Sequence, residues 1–232
     1  MKPQKFQARL RRRERLNPKF YLVTFALIEP KTITFQTGQY LSLKVAQNKR
    51  NSYSIASFPS QKSQLQICVD VTPQGPGTRF VKSAPLGTPT DIIAPLGGFG
   101  LSQESRPALF VATGSGISPF RPMIAEKLQQ FRDTSVHLYW GLRYAGDVFW
   151  KEYWQGLAST HAQFQATISL SQPSTFWKGT RGRVTQGVDQ DYESLSDWEA
   201  YLCGNGAMID DMRKLLARKG MKPERIYTER FF

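Results

Sequence analysis

Cysteine is scarce. Cys68 and Cys203 are the only two in 232 residues. Two thiols cannot supply the four ligands of an iron–sulfur cluster. They lie 135 positions apart, and without an export signal a disulfide between them is not expected. Histidine is as scarce: His137 and His161 cannot build the H-E-x-x-H pattern of a zinc protease, and no metal site is expected. No apolar run approaches the roughly 18 residues of a membrane span. Residues 1–16 are basic and carry no apolar stretch, so a secretory signal is not expected and a cytoplasmic location is. Zinc-finger spacing, an aromatic RNA-binding signature and a basic heptad region are all missing, which argues against a nucleic-acid binder.

What the chain does hold is basic charge, unevenly placed. Lys and Arg total 31 against 18 Asp and Glu, a net +13. Residues 1–105 carry 15 basic and 5 acidic side chains, a net +10, whereas residues 106–232 carry 16 and 13, a net +3. The surplus centres on Arg9, Arg11, Arg12, Arg13, Arg15 and Lys19. Such a field either steers an acidic partner toward the first half or is a solvated strand face.

The first half has the rhythm of β structure. Residues 20–28, 40–45, 52–55 and 65–71 are short stretches rich in β-branched and aromatic side chains. Turn signals separate them, at Glu29-Pro30, Thr37-Gly38, Phe58-Pro59 and 73–77. Short strands at this spacing predict a barrel or sandwich. After Arg106-Pro107 the rhythm changes. Strands at 109–112, 136–140, 164–170 and 201–203 alternate with helices at 119–131, 147–157 and 207–219. That alternation predicts a parallel sheet with helices on both faces. Ser118 and Pro119 stand where a helix cap and first helical position are expected. The predicted fold is therefore two domains: an antiparallel β-barrel at 1–100, then an α/β parallel-sheet domain at 106–232.

Several motifs carry chemistry. Residues 112–120, Ala-Thr-Gly-Ser-Gly-Ile-Ser-Pro-Phe, follow a strand and open a helix. Gly114 and Gly116 let backbone approach a ligand, and the helix start offers N–H groups to a pyrophosphate. Pro119 takes the place of the last glycine of G-x-G-x-x-G, and a plain tight connection is the alternative. A nucleophile elbow is excluded, because it needs glycine at Thr113. Residues 51–57, Asn-Ser-Tyr-Ser-Ile-Ala-Ser, set an aromatic ring among hydroxyls, which suits a flat heteroaromatic ligand or an ordinary strand. Residues 75–80, Gly-Pro-Gly-Thr-Arg-Phe, form either a phosphate loop or a plain one. Cys203-Gly204 opens a second strand-to-glycine-to-helix junction. Its thiol stands at a strand's carboxyl end, where α/β sheets bind ligands, or is buried as a small hydrophobe. The aromatic pair Phe231-Phe232 requires a partner surface.

Each motif is weak alone, but their order is not. Tyr-Ser, Gly-x-Gly-Thr, Gly-Ser-Gly-Ile-x-Pro-Phe, Tyr-Trp-Gly-x-Arg, Cys-Gly-x-x-x-Met and Glu-x-aromatic follow one another along the chain. In this the sequence resembles the ferredoxin–NADP reductase superfamily over about residues 5–232, in a stand-alone form without an iron–sulfur domain. The resemblance implies that the barrel binds flavin and the α/β domain binds NAD(P). It implies FAD as cofactor, with FMN the alternative, NAD(P)H as co-substrate, and hydride transfer from nicotinamide to flavin. It sets Tyr53 against the flavin, Ser54 near the reacting flavin nitrogen, Gly77 and Thr78 at the flavin phosphates, and Phe231 over the flavin ring. It sets Thr113, Gly114, Gly116, Pro119 and Arg143 at the nucleotide, with Cys203 and Gly204 near the nicotinamide. Ser54, Cys203 and Glu229 are the catalytic residues it implies.

Two departures matter. Asn51 stands where the family motif has arginine, and Arg50 lies one place earlier, on the opposite face of a regular strand. Either a bulge re-aims Arg50, or Arg79 substitutes, or phosphate is held more weakly. Ser171-Gln172 replaces the Ser-Arg pair of NADP-specific members. That leaves Lys178, Arg181 or Arg183 to meet a 2′-phosphate, and the choice of NADH or NADPH open. The implied acceptor is an acidic ferredoxin or flavodoxin. The alternative is a flavin reductase or the reductase component of an oxygenase system.

Overall fold

The structure, a computed structural model, describes residues 2–231. Phe232, one of the two aromatics singled out above, lies outside the described residues. The chain divides into two compact units. The first holds the residues through Leu101 together with Ser118–Met123, and the second holds the rest.

The first unit is built on six strands: β1 (Gln4–Arg15), β2 (Phe20–Glu29), β3 (Tyr40–Ala46), β4 (Lys49–Ser54), β5 (Gln64–Asp70) and β6 (Pro89–Leu96). They form one antiparallel sheet in the order β4-β3-β6-β1-β2-β5. An isolated bridge, Ile55 to Ile67, joins the two edges, so the sheet curls into a barrel. Alternation dictates the core. Phe6, Ala8 and Leu10 of β1 point inward while Lys5, Gln7, Arg9 and Arg11 stay exposed. With Phe25, Leu41, Leu43, Ile67 and Ile92 they form one apolar cluster. Two of these strands, β1 and β6, fall outside the stretches expected from sequence. Polar residues occupy every outward position of β1, so no apolar run marks it.

The segment expected as a loop at 75–80 is instead a helix, α1 (Pro76–Ser83). Pro76 holds its first turn, where a missing N–H costs nothing. Arg13 donates to the carbonyls of Val81 at 2.8 Å and Ala84 at 3.1 Å. A cation thus sits at the helix's negative end. Arg13 is therefore not one of the free charges of the basic strand.

The second unit is a parallel sheet of six strands in the order β10-β9-β8-β7-β11-β12. They are β7 (Ala108–Thr113), β8 (Val136–Leu142), β9 (Phe164–Leu170), β10 (Thr180–Arg181), β11 (Glu199–Asn205) and β12 (Ile226–Phe231). Its helices are α3 (Lys151–Thr160), α4 (Val184–Asp191), α5 (Gly206–Arg218) and, from Ile124 on, α2 (Phe120–Gln130). Helix α2 starts at Phe120 rather than Pro119, because a 3-10 turn at Gly114–Ile117 intervenes. Helix α3 starts at Lys151 rather than 147, after Trp150 in the left-handed region, φ 54°. Helix α4, β10 and β12 were not foreseen; α4 and β12 are short and largely polar. No helix among the described residues is long and apolar enough to cross a membrane.

Candidate functional site

Two groups of residues come together, one in each unit. In the first, β4 places Asn51 and Tyr53 on the same strand face, and the Asn51 amide lies 3.3 Å from the Tyr53 hydroxyl. The first turn of α1 closes on them. A Cβ on Gly77 would overlap the Tyr53 hydroxyl and meet the Asn51 amide nitrogen at 2.5 Å. With the side chains of Tyr53 and Asn51 as they stand, glycine lets the helix start approach this pair. Burial pushes the Tyr53 phenol up, partly opposed by the Asn51 amide, so the ring stays neutral. Ser54, 3% exposed, faces the other side of the strand. Thr78 donates its hydroxyl to the Pro73 carbonyl, which fixes the turn leading into α1. The arrangement offers an aromatic ring, an amide and the N-terminus of a helix within one small area. These are the donors that a phosphate-bearing aromatic ligand uses.

Arg50 does not join this group. Its Nε donates to the Ser42 hydroxyl at 3.0 Å, and its guanidinium reaches the Asp91 carbonyl at 3.0 Å. The β3–β4 register shift lies at Lys44/Ala46, on the partner strand, so no bulge re-aims Arg50. Strict alternation wins, and Arg50 clamps β3 to β6. Arg79, in the exposed second turn of α1, is the cation that remains near.

In the second unit the chain runs from β7 to β8, β9 and β10 on one side, then crosses to β11 and β12 on the other. The strand order therefore reverses between β7 and β11, the place where open α/β sheets hold ligands. Both glycine junctions lie there. A Cβ on Gly116 would overlap the Cys203 carbonyl oxygen and come within 2.8 Å of the Gly204 Cα. Gly204 has φ +133°, and a Cβ there would overlap the Thr113 hydroxyl. Thr113 Oγ1 accepts from the Asn205 N–H at 3.0 Å, pinning the two strand ends together. The Asn205 side chain caps α5 through the Ala207 N–H at 2.9 Å. Trp140, wholly buried, donates from Nε1 to the Gly114 carbonyl at 3.0 Å. Asn205 was missed from sequence, although Asn before a helix is a recognisable cap.

Cys203 lies at this junction, fully buried, opposite Glu229 in the β11–β12 register. Burial, and to a lesser degree the Glu229 charge, push its thiol well above the ordinary range. Cys68 is held up to about 12, mainly by burial. Both thiols should therefore resist iodoacetamide near pH 7.5, reacting on the order of 100-fold more slowly than in denaturant. Mass spectrometry of timed samples checks this; rapid labelling of Cys203 in folded protein would contradict it. Glu229 and Phe231 are half-buried, and Phe231 pairs with Asn205. Pro119 follows the 3-10 turn, and its carbonyl accepts the Met123 N–H at 3.2 Å, opening α2. Arg143 is exposed, with its guanidinium 5.9 Å from the Tyr144 ring. The Arg181 guanidinium is engaged by the carbonyls of Ser174 and Thr175 at 3.1 Å and Trp177 at 2.8 Å. It ties down its own loop, which leaves Lys178 and Arg183, both exposed, as the freer cations after β9.

Comparison with known proteins agrees with this division. The family described as an oxidoreductase FAD-binding domain matches residues 7–100, and the oxidoreductase NAD-binding domain matches residues 110–214. The anthranilate 1,2-dioxygenase electron transfer component of Acinetobacter baylyi is 30% identical over 87% of this chain and 59% of its own. Ferredoxin–NADP reductase B of Sorangium cellulosum is 26% identical over 97% of both chains. The Amycolatopsis cytochrome P450 reductase GcoB superposes with a TM-score of 0.93 at 25% identity, over 99% of this chain and 70% of that one. The chain spans about three fifths of the length of the dioxygenase-system relatives. With both family matches in sequence order on a shared fold, the chain belongs to the ferredoxin reductase-type family of flavin- and NAD(P)-binding oxidoreductases.

Proposed function

We propose that this chain is a reductase that takes reducing equivalents from NAD(P)H through FAD and delivers them to a redox acceptor protein, a ferredoxin or flavodoxin. The observation that carries the reading is the tight meeting of Thr113, Gly116, Cys203 and Gly204 at the strand-order reversal. The glycines let the two strand ends and the turn pack this closely, and the helix starts that follow are where a pyrophosphate would be held. The Asn51–Tyr53–Gly77 cluster supports flavin in the same way. When bound, the flavin supplies hydride acceptance and onward electron release.

The residues of this chain do the rest. Tyr53 gives the flavin an aromatic surface, and Asn51 and the first turn of α1, with Gly77 and Thr78, hold its phosphate side. Arg79 is the cation available there in place of Arg50. Ser54, buried on the other face at the end of β4, is assigned to the ring edge by the family pattern alone. Gly114, Gly116 and Pro119 shape the pyrophosphate turn, with Arg143 at its exposed rim. Cys203, a neutral thiol, and Gly204 would lie nearest the nicotinamide, with Glu229 beside Cys203 in the β11–β12 register. Phe231 would cover the flavin ring in the absence of nucleotide, and on that assignment Phe231→Ala should tighten NAD(P)⁺ binding. Unchanged affinity with an unshifted flavin spectrum would assign that ring elsewhere.

Arg183 is the residue we assign to a 2′-phosphate. Arg183→Ala should raise KM for NADPH about tenfold, the size of a lost charge-assisted contact, and leave KM for NADH unchanged. Steady-state kinetics with both nucleotides tests this; equal effects on both would remove the assignment.

The acceptor docks on the basic barrel face through Arg9 and Arg11, both exposed. Arg12 is less available, because it pairs with Glu14 at 2.9 Å. Arg9→Glu with Arg11→Glu should slow reduction of an acidic protein acceptor and spare a small neutral one. Salt above about 0.1 M should reproduce the effect in the native protein. A second reading, the reductase component of an oxygenase system, is favoured by the electron-transfer relatives. Turnover with ferredoxin, flavodoxin and an oxygenase component, compared side by side, separates the two.

A further inference from the structure

Helix α3, strand β9 and residues 176–180 line an open cavity of about 620 Å³, within the usual range for small-molecule sites. It lies against the middle of β9, at Ala166, Thr167 and Ile168, away from the carboxyl strand ends that carry the glycine junctions. Its apolar surface comes chiefly from Ile168, Phe176 and Trp177, with Trp154 buried behind them, and its cations are Lys151 and Lys178. No carboxylate lines it. Two features ask for an occupant. Phe176 is 89% exposed, the most exposed large apolar side chain described. Trp154 is 1% exposed, and its buried Nε1–H finds no acceptor among the described residues. A buried donor without a partner is an exception that calls for an account.

We propose that this cavity binds a small aromatic carboxylate. The ring would lie against Trp177 and Phe176, covering the exposed apolar surface. The carboxylate would meet Lys151 and Lys178, whose positive charges have no carboxylate among the lining residues to balance them. Neutral hydrocarbons would leave the lysines unmatched, and a simple inorganic anion would leave the aromatic wall exposed. The geometry therefore selects a planar apolar body carrying one negative group.

The test uses 2-naphthoate as probe with the protein as purified, followed by calorimetry and tryptophan fluorescence. One saturable site is expected, undisturbed by excess NAD⁺ or NADP⁺. Lys151→Glu with Lys178→Glu should weaken binding at least about tenfold, and so should Phe176→Ser with Trp177→Ala. The neutral analogue 2-naphthylmethanol should bind native protein several-fold more weakly than 2-naphthoate. That comparison needs no variant and stands even if a variant folds poorly. Absence of saturation up to about 5 mM, equal affinity for the alcohol, or competition by the nucleotide would overturn the proposal. The outcome does not depend on which acceptor the enzyme serves.

Discussion

Gly116→Ala should leave the protein able to hold flavin but nearly unable to reduce it with NAD(P)H. The added Cβ would collide with the Cys203 carbonyl and crowd the Gly204 Cα. Both are backbone atoms in a wholly buried strand end, so no flexible side chain can give way. Either β7 and β11 move apart or the 3-10 turn is displaced, at a cost of about 1–3 kcal/mol. A shift of even about 1 Å in the pyrophosphate turn is enough to cost on the order of 100-fold in rate. Asn51, Tyr53 and Gly77 belong to the other unit and should be untouched. Stopped-flow reduction of the variant should thus be slowed by about two orders of magnitude, with a normal flavin content and normal reduction by dithionite. Near-native rates with NAD(P)H would show that this junction does not hold the nucleotide.

Lys127→Met should be strongly destabilising to the second unit. Lys127 is fully buried on α2, and its ammonium lies 2.7 Å from Glu199 Oε1 and 2.9 Å from the Glu104 carbonyl. The Phe131 ring lies 4.2 Å away. Glu199 also accepts from the Tyr201 hydroxyl at 2.9 Å, and that oxygen accepts the Ser102 N–H at 2.9 Å. One buried network thus ties residues 102–104 to α2 and to β11. Removing the lysine alone leaves a carboxylate at 1% exposure with its counter-charge gone, a loss of about 3–5 kcal/mol. In a unit of this size that corresponds to a melting-temperature fall of roughly 10 °C or more. The double variant Lys127→Met with Glu199→Gln should recover more than half of the loss, since no uncompensated charge remains. Calorimetric scans of the three proteins decide it. An unchanged Tm in the single variant would mean that water already reaches the pair.

The α/β half was largely legible because its strands are continuous apolar runs. Residues 108–112 are all buried, and a run of that kind has few other fates. The barrel's β1 was hidden because its inward residues are Phe6, Ala8 and Leu10 alone, among charges. Its partner β6 was hidden by two prolines at 89 and 95. Helix α1 reads as a loop because Gly75, Pro76 and Gly77 are turn residues in isolation. Its helical state depends on tertiary partners: Val81 buried in the barrel core and Arg13 across the barrel holding its end. No local signal in 75–83 encodes a contact with residue 13.

The site residues show the same division. Thr113, Gly116 and Cys203 could be picked out because strand-to-glycine-to-helix junctions are local patterns. That Gly116 and Gly204 pack on each other's segments follows only from the parallel pairing of β7 with β11. Arg50 shows the strength of a simple rule. Period-two alternation places it away from Tyr53, and the bulge that would have rescued it lies on the neighbouring strand. The engagement of Arg181 by three carbonyls of its own loop could not be read from the chain. It depends on the path that residues 174–177 take back over the β9 edge.

The most direct test of the whole account is anaerobic titration of the purified protein with NADPH and, separately, NADH. A yellow protein with one FAD per chain is expected, whose flavin absorption bleaches on addition of at least one nucleotide. Oxidised ferredoxin or flavodoxin should then restore the absorption. A protein that is colourless and takes up neither FAD nor FMN, or whose bound flavin stays oxidised with both nucleotides, would contradict it.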